Sequence, residues 1–522
     1  MEHGSCSSRR SWCSKQRSAE IKRHSAPLGY CAFSLFARRT RCTIVQQLSL
    51  RNQYDAVVIG SGPNGLAAAI VLARAGRSVV VIEAEEQIGG AARSAALTLP
   101  GFTHDLGSAV HPMAVASPFF RTLPLHEHGL QWIDPPYALA HPFDDGSAAI
   151  LEKSLEKTCG ALGGDGNRYR SLVGRVAEKW SLIDDSILGP LGIPRHPFTF
   201  ARFGLVAMQP ANHLAQSTFR TESARALFAG LAAHSARPLD SWGTSAIALV
   251  LAAVGHIKGW PIPKGGSQRI ADALASYLRS LGGEMIAGQR VRSLSDLPRS
   301  ELTLCDLSPR GLLSVAGEGL PAGYRRALSN YQYGPGVFKV DWALRAPIPW
   351  TAPNCSKAGT VHIGGSLSEI ARSERACWKN ETSDRPFVLL SQPSLFDPTR
   401  APAGCHTAWA YCHVPNGSEF DMTDRIEAQI ERFAPGFRDL IFARSKRSPA
   451  LLERENANLI GGDITGGANS LRQLLLRPTS QFYRTPIRGL FLCSASTPPG
   501  GGVHGMCGYH AAMRALGPSE RS

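Results

Sequence analysis

Three glycines, Gly60, Gly62 and Gly65, stand between the β-branched run YDAVVI (54–59) and the apolar segment LAAAIVLARAG, which reads as a helix closed by Gly76. A diphosphate calls for that arrangement, because its charge is best met by backbone amides at the positive end of a helix dipole. In this reading Gly60 permits the tight turn, Gly62 lets backbone approach the phosphate, and Gly65 lets helix pack on strand. A second run, SVVVI (78–82), ends in Glu83, 23 residues after Gly60 and suited to accept hydrogen bonds from ribose hydroxyls. Strand, glycine turn, helix, strand and acid in this order describe a dinucleotide-binding βαβ unit, and leave NAD and FAD both open.

Two further glycine clusters extend the pattern. Gly89 and Gly90 precede Arg93 in IGGAARS, which brings backbone close to a ligand and sets a cation suited to phosphate beside it. Near the C-terminus a strand (490–493) runs into STPPGGGVHG, with Gly501, Gly502 and Val503, ahead of the helix MCGYHAAMRAL. A loop so rich in glycine is costly to order and suits close approach to a flat or anionic ligand.

Candidate acids and bases are fewer. Asp105 and His111 in HDLGSAVH are candidates to approach the active site, with structural hydrogen bonding as the plainer reading. Lys339 and Asp341 in FKVDWAL share one strand face by period-two geometry, with a surface ion pair as the plainer reading. Cys405, Cys412 and His413 lie in an alternating β-rich stretch where cysteine acts as a small apolar filler, so no metal site is expected. The chain has no CxxC pair, which argues against a thioredoxin-type redox centre or zinc ribbon.

The elements that must position these groups alternate in type. Residues 155–238 read as helical with Pro-rich interruptions, and SQRIADALASYLRSL as an amphipathic helix. EMIAGQRVRSL and LTLCDL follow as candidate strands, mixed-sheet patterns dominate 331–414, and 419–437 is again helical. The longest strongly apolar run, AIALVLAAVG (246–255), falls far short of a bilayer span of about 20 residues.

The net charge of +15 is concentrated in residues 1–52, where ten Lys/Arg face two acids, so the remainder is only mildly basic and a nucleic-acid partner is not expected. That leader is Arg- and Ser-rich and acid-poor without an amphipathic repeat, and reads equally as a transit peptide, a disordered extension or a start assigned too far upstream.

Taken together, YDAVVIGSGPNGLAAA, IEAEEQIGGAARS, PGFTHDLGSAVHP, IGGDITGGANSLRQLLLRP and LFLCSASTPPGGGVHGMCGYHAA resemble the phytoene-desaturase-like FAD oxidoreductases, in particular the branch of pyridine nucleotide-disulphide oxidoreductase domain-containing protein 2. The resemblance implies an α/β protein with a Rossmann-like FAD-binding domain of the glutathione-reductase type, assembled from 53–110, 256–315 and 455–518. A mixed-sheet and helical substrate domain would take 111–255 and 316–454. It carries Gly60, Gly62, Gly65, Glu83, Gly89, Gly90 and Arg93 over to FAD binding, Val291 to adenine, and Gly501, Gly502 and Val503 to the isoalloxazine ring. Where carotenoid desaturases read GAGTHPG this chain has SASTPPG. The implied activity is a dehydrogenase or desaturase on an apolar, isoprenoid- or lipid-like substrate, with a flavin amine oxidase or a flavin-stabilised regulatory protein as alternatives. Peripheral membrane contact and oligomeric state stay open, and location is expected to be the bacterial cytoplasm, or the mitochondrial matrix if the leader is a transit peptide.

Overall fold

Short β-branched runs separated by helices or long crossovers build two sheets in a computed structural model that describes residues 51–517. The strands of these sheets, in chain order, are β1 (Ala56–Ile59), β2 (Val79–Ile82), β3 (Tyr137–Pro142), β4 (Ala148–Leu151), β5 (Glu284–Ile286), β6 (Leu302–Cys305), β7 (Gly336–Leu344), β8 (Ala358–Ile363), β9 (Val388–Ser391), β10 (His406–Val414), β11 (Ile441–Arg447) and β12 (Leu490–Leu492). The first sheet is parallel throughout, in the order β12-β6-β1-β2-β5. Its strands come from three distant stretches of chain.

Both faces of this sheet are covered, as parallel strands require. Ala56, Val58, Val79 and Val81 pack against α1 (Pro63–Arg74), α2 (Gln268–Ser280) and α3 (Met506–Leu516). Val57, Ile59, Val80, Ile82 and Leu492 point the other way, where Leu312, Leu320 and Leu328 close over Ile59 and Leu492. α1 and α3 approach closely at Gly508, where a Cβ would overlap the carbonyl oxygen of Asn64.

The second sheet is mixed, in the order β11-β7-β10-β9-β8-β3-β4, with β8 and β3 parallel and the other pairs antiparallel. Phe338, Val340 and Trp342 pack with Ile426, Ile430 and Phe433 of the helix Thr423–Phe433. The opposite face carries Lys339 and Asp341 across from Tyr411 and Trp409. Helices Glu222–Ala233 and Thr244–Ile257 form a helical layer against β3, β4 and Leu389. The apolar run 246–255 lies in Thr244–Ile257, and no helix among the described residues is long and apolar enough to cross a membrane.

Three expectations change in detail. The stretch EMIAGQRVRSL pairs only over Glu284–Ile286, because Gly288 turns the chain with φ +74°. The helix expected over 419–437 spans Thr423–Phe433, its start fixed by the Asp421 carboxylate, which accepts from the Thr423 amide and hydroxyl. The leader read as 1–52 lies outside the described residues up to residue 50, but Arg51 and Asn52 join the fold: Arg51 pairs with Glu284 at 2.6 Å and the Asn52 carbonyl accepts from the Arg299 amide.

The helix contact at Gly508 predicts an asymmetric response to alanine. Gly508→Ala overpacks α1 against α3 and lowers stability by about 1–3 kcal/mol. Gly204→Ala in the helix Pro197–Ala207, where a Cβ meets nothing within 4 Å, raises it by roughly 0.5–1 kcal/mol. Urea midpoints for the two variants check the contrast, and a neutral Gly508→Ala contradicts it.

Candidate functional site

At the carboxyl ends of β1 and β6 the order of the parallel sheet reverses direction, which is where open α/β sheets form their ligand crevice. The glycine turn lies there. A Cβ on Gly65 would overlap the carbonyl oxygen of Gly60, one on Gly62 would come within 2.6 Å of Asp306 Oδ2, and one on Gly90, at φ +56°, would lie 3.1 Å from Gly62 Cα. The two glycine loops therefore meet backbone on backbone. The first intrahelical bond of α1 runs from Leu66 N–H to Gly62 O, so the amides ahead of it have no helical acceptor, and that of Gly65 donates to Asp306 Oδ2 at 3.0 Å. The buried Asn64 Oδ1 in the same turn has no protein partner. A cradle that only backbone can border, at a helix N-terminus, fits the diphosphate of a dinucleotide.

Glu83 faces this turn. Its Oε2 accepts from the Ser61 amide at 2.8 Å and the Ser61 hydroxyl at 2.5 Å, and its Oε1 accepts from the Glu85 amide at 3.0 Å. Oε1 keeps acceptor capacity for one ribose hydroxyl. The Gln289 amide donates to the Glu83 carbonyl at 2.8 Å, which brings the Val291 stretch beside the same acid. Gly89 donates to Ser61 Oγ at 3.2 Å. Arg93, expected beside a phosphate, instead donates to the carbonyls of Gly90 and Glu455, each at 2.8 Å. Its guanidinium holds the glycine loop against a neighbouring segment.

Asp306 was not singled out by the sequence, although its position directly after the strand LTLC, beside β1, marks the crevice. Burial pushes its carboxyl up to about 7, with Glu83 adding to the rise and the Gly65 amide opposing it.

The candidate acids and bases are each engaged by other side chains. Asp105 is fully buried, ion-paired with Arg400, and accepts from Ser94 Oγ at 2.6 Å and the Ser267 amide at 2.7 Å. Against the upward push of burial, Arg400 and these donors hold its carboxyl below the usual range. His111 Nε2 lies 2.8 Å from Ser267 Oγ, and burial lowers its pKa to about 4. Both residues fasten three segments together.

Lys339 and Asp341 do share a face, but not at the surface: they are 3% and 0% exposed, with Lys339 Nζ 2.5 and 2.6 Å from the two Asp341 oxygens. Their strand is flanked by β11 and β10, and burial holds the lysine below and the aspartate above their ordinary values. Arg447 Nη1 lies 3.6 Å from Asp341 and its Nε donates to Glu455 at 2.8 Å, so polar contacts run from the Gly90 carbonyl through Arg93, residue 455 and Arg447 to this pair. Among the described residues no group of three His, Cys, Asp or Glu is arranged to hold a metal; His413 pairs with Glu374 at 2.8 Å.

The C-terminal glycine loop follows β12. Gly501 and Gly502 are exposed and Val503 half-buried; a Cβ on Gly501 would lie 2.7 Å from Thr465 O, and Gly502 has φ +136°. The serines that replace glycines brace the loop: Ser496 Oγ donates to Gly466 O at 2.9 Å and its amide to Ser494 Oγ at 3.3 Å. The Arg477 guanidinium lies beneath, 2.5 Å from where a Gly500 Cβ would be. A flat ligand can lie against the open side of this loop.

Residues 58–123 match the NAD(P)-binding Rossmann-like domain. Pyridine nucleotide-disulfide oxidoreductase domain-containing protein 2 of Mus musculus is 27% identical over 89% of this chain and 93% of its own length. Phytoene dehydrogenase of Streptomyces griseus is 27% identical over 75% of this chain and 78% of its own. The chain is an oxidoreductase that resembles the phytoene dehydrogenases. Its architecture agrees with an oxidoreductase from Methanosarcina mazei (TM-score 0.62, 16% identity, 88% and 99% of the two chains covered) and with a putrescine oxidase (TM-score 0.59, 17% identity, 89% and 99% covered).

In this oxidoreductase Asp306 is expected to make stability, and the binding of a nucleotide at the glycine turn, pH-dependent. Its carboxyl titrates at about 7 when folded and near its ordinary value of about 4 when unfolded, so between these the folded state holds a proton that the unfolded state lacks. Stability from this group is full below pH 4 and is lost as pH rises through 7. Asp306→Asn removes that loss, so its stability relative to wild type climbs from pH 4 to 7 and levels off above. The neutral amide also relieves repulsion with a diphosphate, so ADP affinity improves more at pH 8 than at pH 5.5. Urea titrations and calorimetry across this range check both, and parallel pH profiles for the two proteins contradict the assignment.

Proposed function

We propose that the chain is an FAD-dependent dehydrogenase or desaturase that removes a hydride and a proton from an apolar, isoprenoid- or lipid-like substrate and passes the electrons to a separate acceptor. The observation that carries this reading is the pairing of the diphosphate cradle at Gly60, Gly62, Gly65 and Gly90 with the braced glycine loop at Gly501, Gly502 and Val503 on the adjoining strand pair β6 and β12. We assign 53–110, 256–315 and 455–518 to an FAD domain of the glutathione-reductase type, because all five strands of the parallel sheet fall in these stretches. The remaining stretches, 111–255 and 316–454, hold all seven strands of the mixed sheet and form the substrate side.

Bound FAD supplies the hydride acceptor, and the chain's residues position it. The glycine turns and α1 hold the diphosphate, Glu83 Oε1 takes a ribose hydroxyl, backbone near Val291 meets the adenine, and the loop from Gly501 to Val503 supports the ring system. On the mixed sheet, Trp409 and Tyr411 stack at 5.8 Å with an interplanar angle of 5°, a wall suited to an apolar substrate. Lys339 and Asp341 are locked to each other beside that wall, so neither stands free as a base; Asp105 and His111 are likewise engaged. Exposed Ile193, Phe198 and Leu205, with Arg195 and Arg202 alongside, give an apolar substrate a place to meet a lipid surface peripherally.

The protein is expected to purify yellow, and FAD at a hundredfold excess over its dissociation constant to add about 2.7 kcal/mol of stability where NAD adds none. With one strand-turn-helix unit for a dinucleotide, NADPH should reduce the flavin slowly or not at all. Anaerobic mixing with a panel of isoprenoids, lipids and amines, followed through flavin absorbance, tests the substrate class. Bleaching by apolar compounds supports the proposal, bleaching by amines with peroxide formed in air assigns an amine oxidase, and a colourless protein that binds NAD overturns the reading.

A further inference from the structure

We propose that Arg477 is the cation that stabilises the negatively charged, two-electron-reduced flavin from beneath the glycine loop. This rests on the FAD reading above and extends it to the redox chemistry of the site.

Arg477 is 1% exposed, yet among the described residues no carboxylate lies within ion-pairing distance of it. Its Nη2 donates to Tyr331 Oη at 3.1 Å and to the carbonyls of Gly466 and Gly467 at 3.2 and 3.5 Å, Nη1 reaches Asn469 Oδ1 at 3.5 Å, and Nε has no partner. Asp463 is the acid that shares Tyr331 as a neighbour with it, and its oxygens are taken by the amides of Gly334 and Thr465 and by the Thr465 hydroxyl. Burying an unpaired charge is strongly unfavourable, so a guanidinium held this way is matched to a charge that arrives with a ligand or during reaction.

The geometry says where that charge appears. Nη1 lies against Gly500, whose φ of +114° and missing Cβ let the guanidinium close on the loop. His504, in the same loop, is neutral at physiological pH because burial lowers its pKa to about 4. Arg477 is thus the permanent charge next to the loop that supports the ring. The flavin becomes anionic when it takes up two electrons and one proton, and neutral when it takes up two of each. A fixed cation at close range in a buried site favours the anion.

Arg477 is a positioning residue whose signature is a proton count. Reductive titration of the FAD-loaded protein by dithionite, against reference dyes from pH 6 to 8, should show one proton per two electrons. A tenfold change in proton activity then moves the two-electron potential by about 30 mV. Arg477→Met should take up two protons, doubling that slope, and shift the reduction equilibrium at least tenfold toward oxidised flavin at pH 8. Arg477→Lys should retain the wild-type slope. Wild-type protein that takes up two protons across this range overturns the inference without any variant, and so does Arg477→Met that binds FAD fully with unchanged slope and potential. Protein that takes up no FAD overturns the function proposed above, and the inference with it.

Discussion

Backbone must touch backbone at the mouth of the parallel sheet, and most of the architecture follows from that. The carbonyl of Gly60 meets Gly65, Gly62 meets Gly90, and Gly62 leaves room for the Asp306 carboxylate. A Cβ at Gly65 would press helix off strand, and one at Gly62 or Gly90 would crowd Asp306 or the facing loop. Close approach brings α1 onto β1 so that Ala56 and Val58 can bury against it, and it leaves a helix N-terminus open to an anion. Gly508 repeats the requirement on the far side of α1, which lets α3 and the glycine loop before it join the same sheet.

The two halves of the molecule are tied by charge as well as by chain. From the Gly90 carbonyl, contacts pass through Arg93, residue 455 and Arg447 to Asp341 and Lys339 on β7 of the mixed sheet. Asp105 and Arg400 make a second buried link, from the strand His104–Asp105 to the segment before β10. Each link removes charges from water, and such pairs add less to stability than to the uniqueness of the arrangement they enforce. The diphosphate cradle and the wall at Trp409 and Tyr411 are thereby held in fixed register.

How much of this was legible depended on whether the cause was local. The turn GSGPNG, the acid at 83 and the strand-loop-helix at 490–516 were readable because turn geometry, period-two strands and helix starts are set by neighbouring residues. The shared face of Lys339 and Asp341 was readable for the same reason. Their burial was not, since it depends on β10 and β11 flanking β7, which no local pattern states. Asp306 and Arg477 went unmarked for a related reason: one acid after a strand and one arginine before a proline are ordinary until the fold sets them against Gly62 and Gly500. The early end of β5 was foreseeable in principle from Gly288, where a left-handed residue interrupts extended chain. Arg93 shows the converse, a cation whose type suited phosphate and of which Nε and Nη2 donate to backbone carbonyls.

The parallel sheet also has a history in time. Its middle strand β1 is made early, whereas β12, on the outer side of β6, is made more than 400 residues later. At ordinary rates of synthesis the two are separated by an interval on the order of tens of seconds. During that interval β6 presents the open, apolar edge LTLC with nothing to pair it, and α1 lacks the helix that covers it. The C-terminal glycine loop is made after every strand of the sheet, so a nascent chain forms the glycine turn at 60–65 well before that loop can join it.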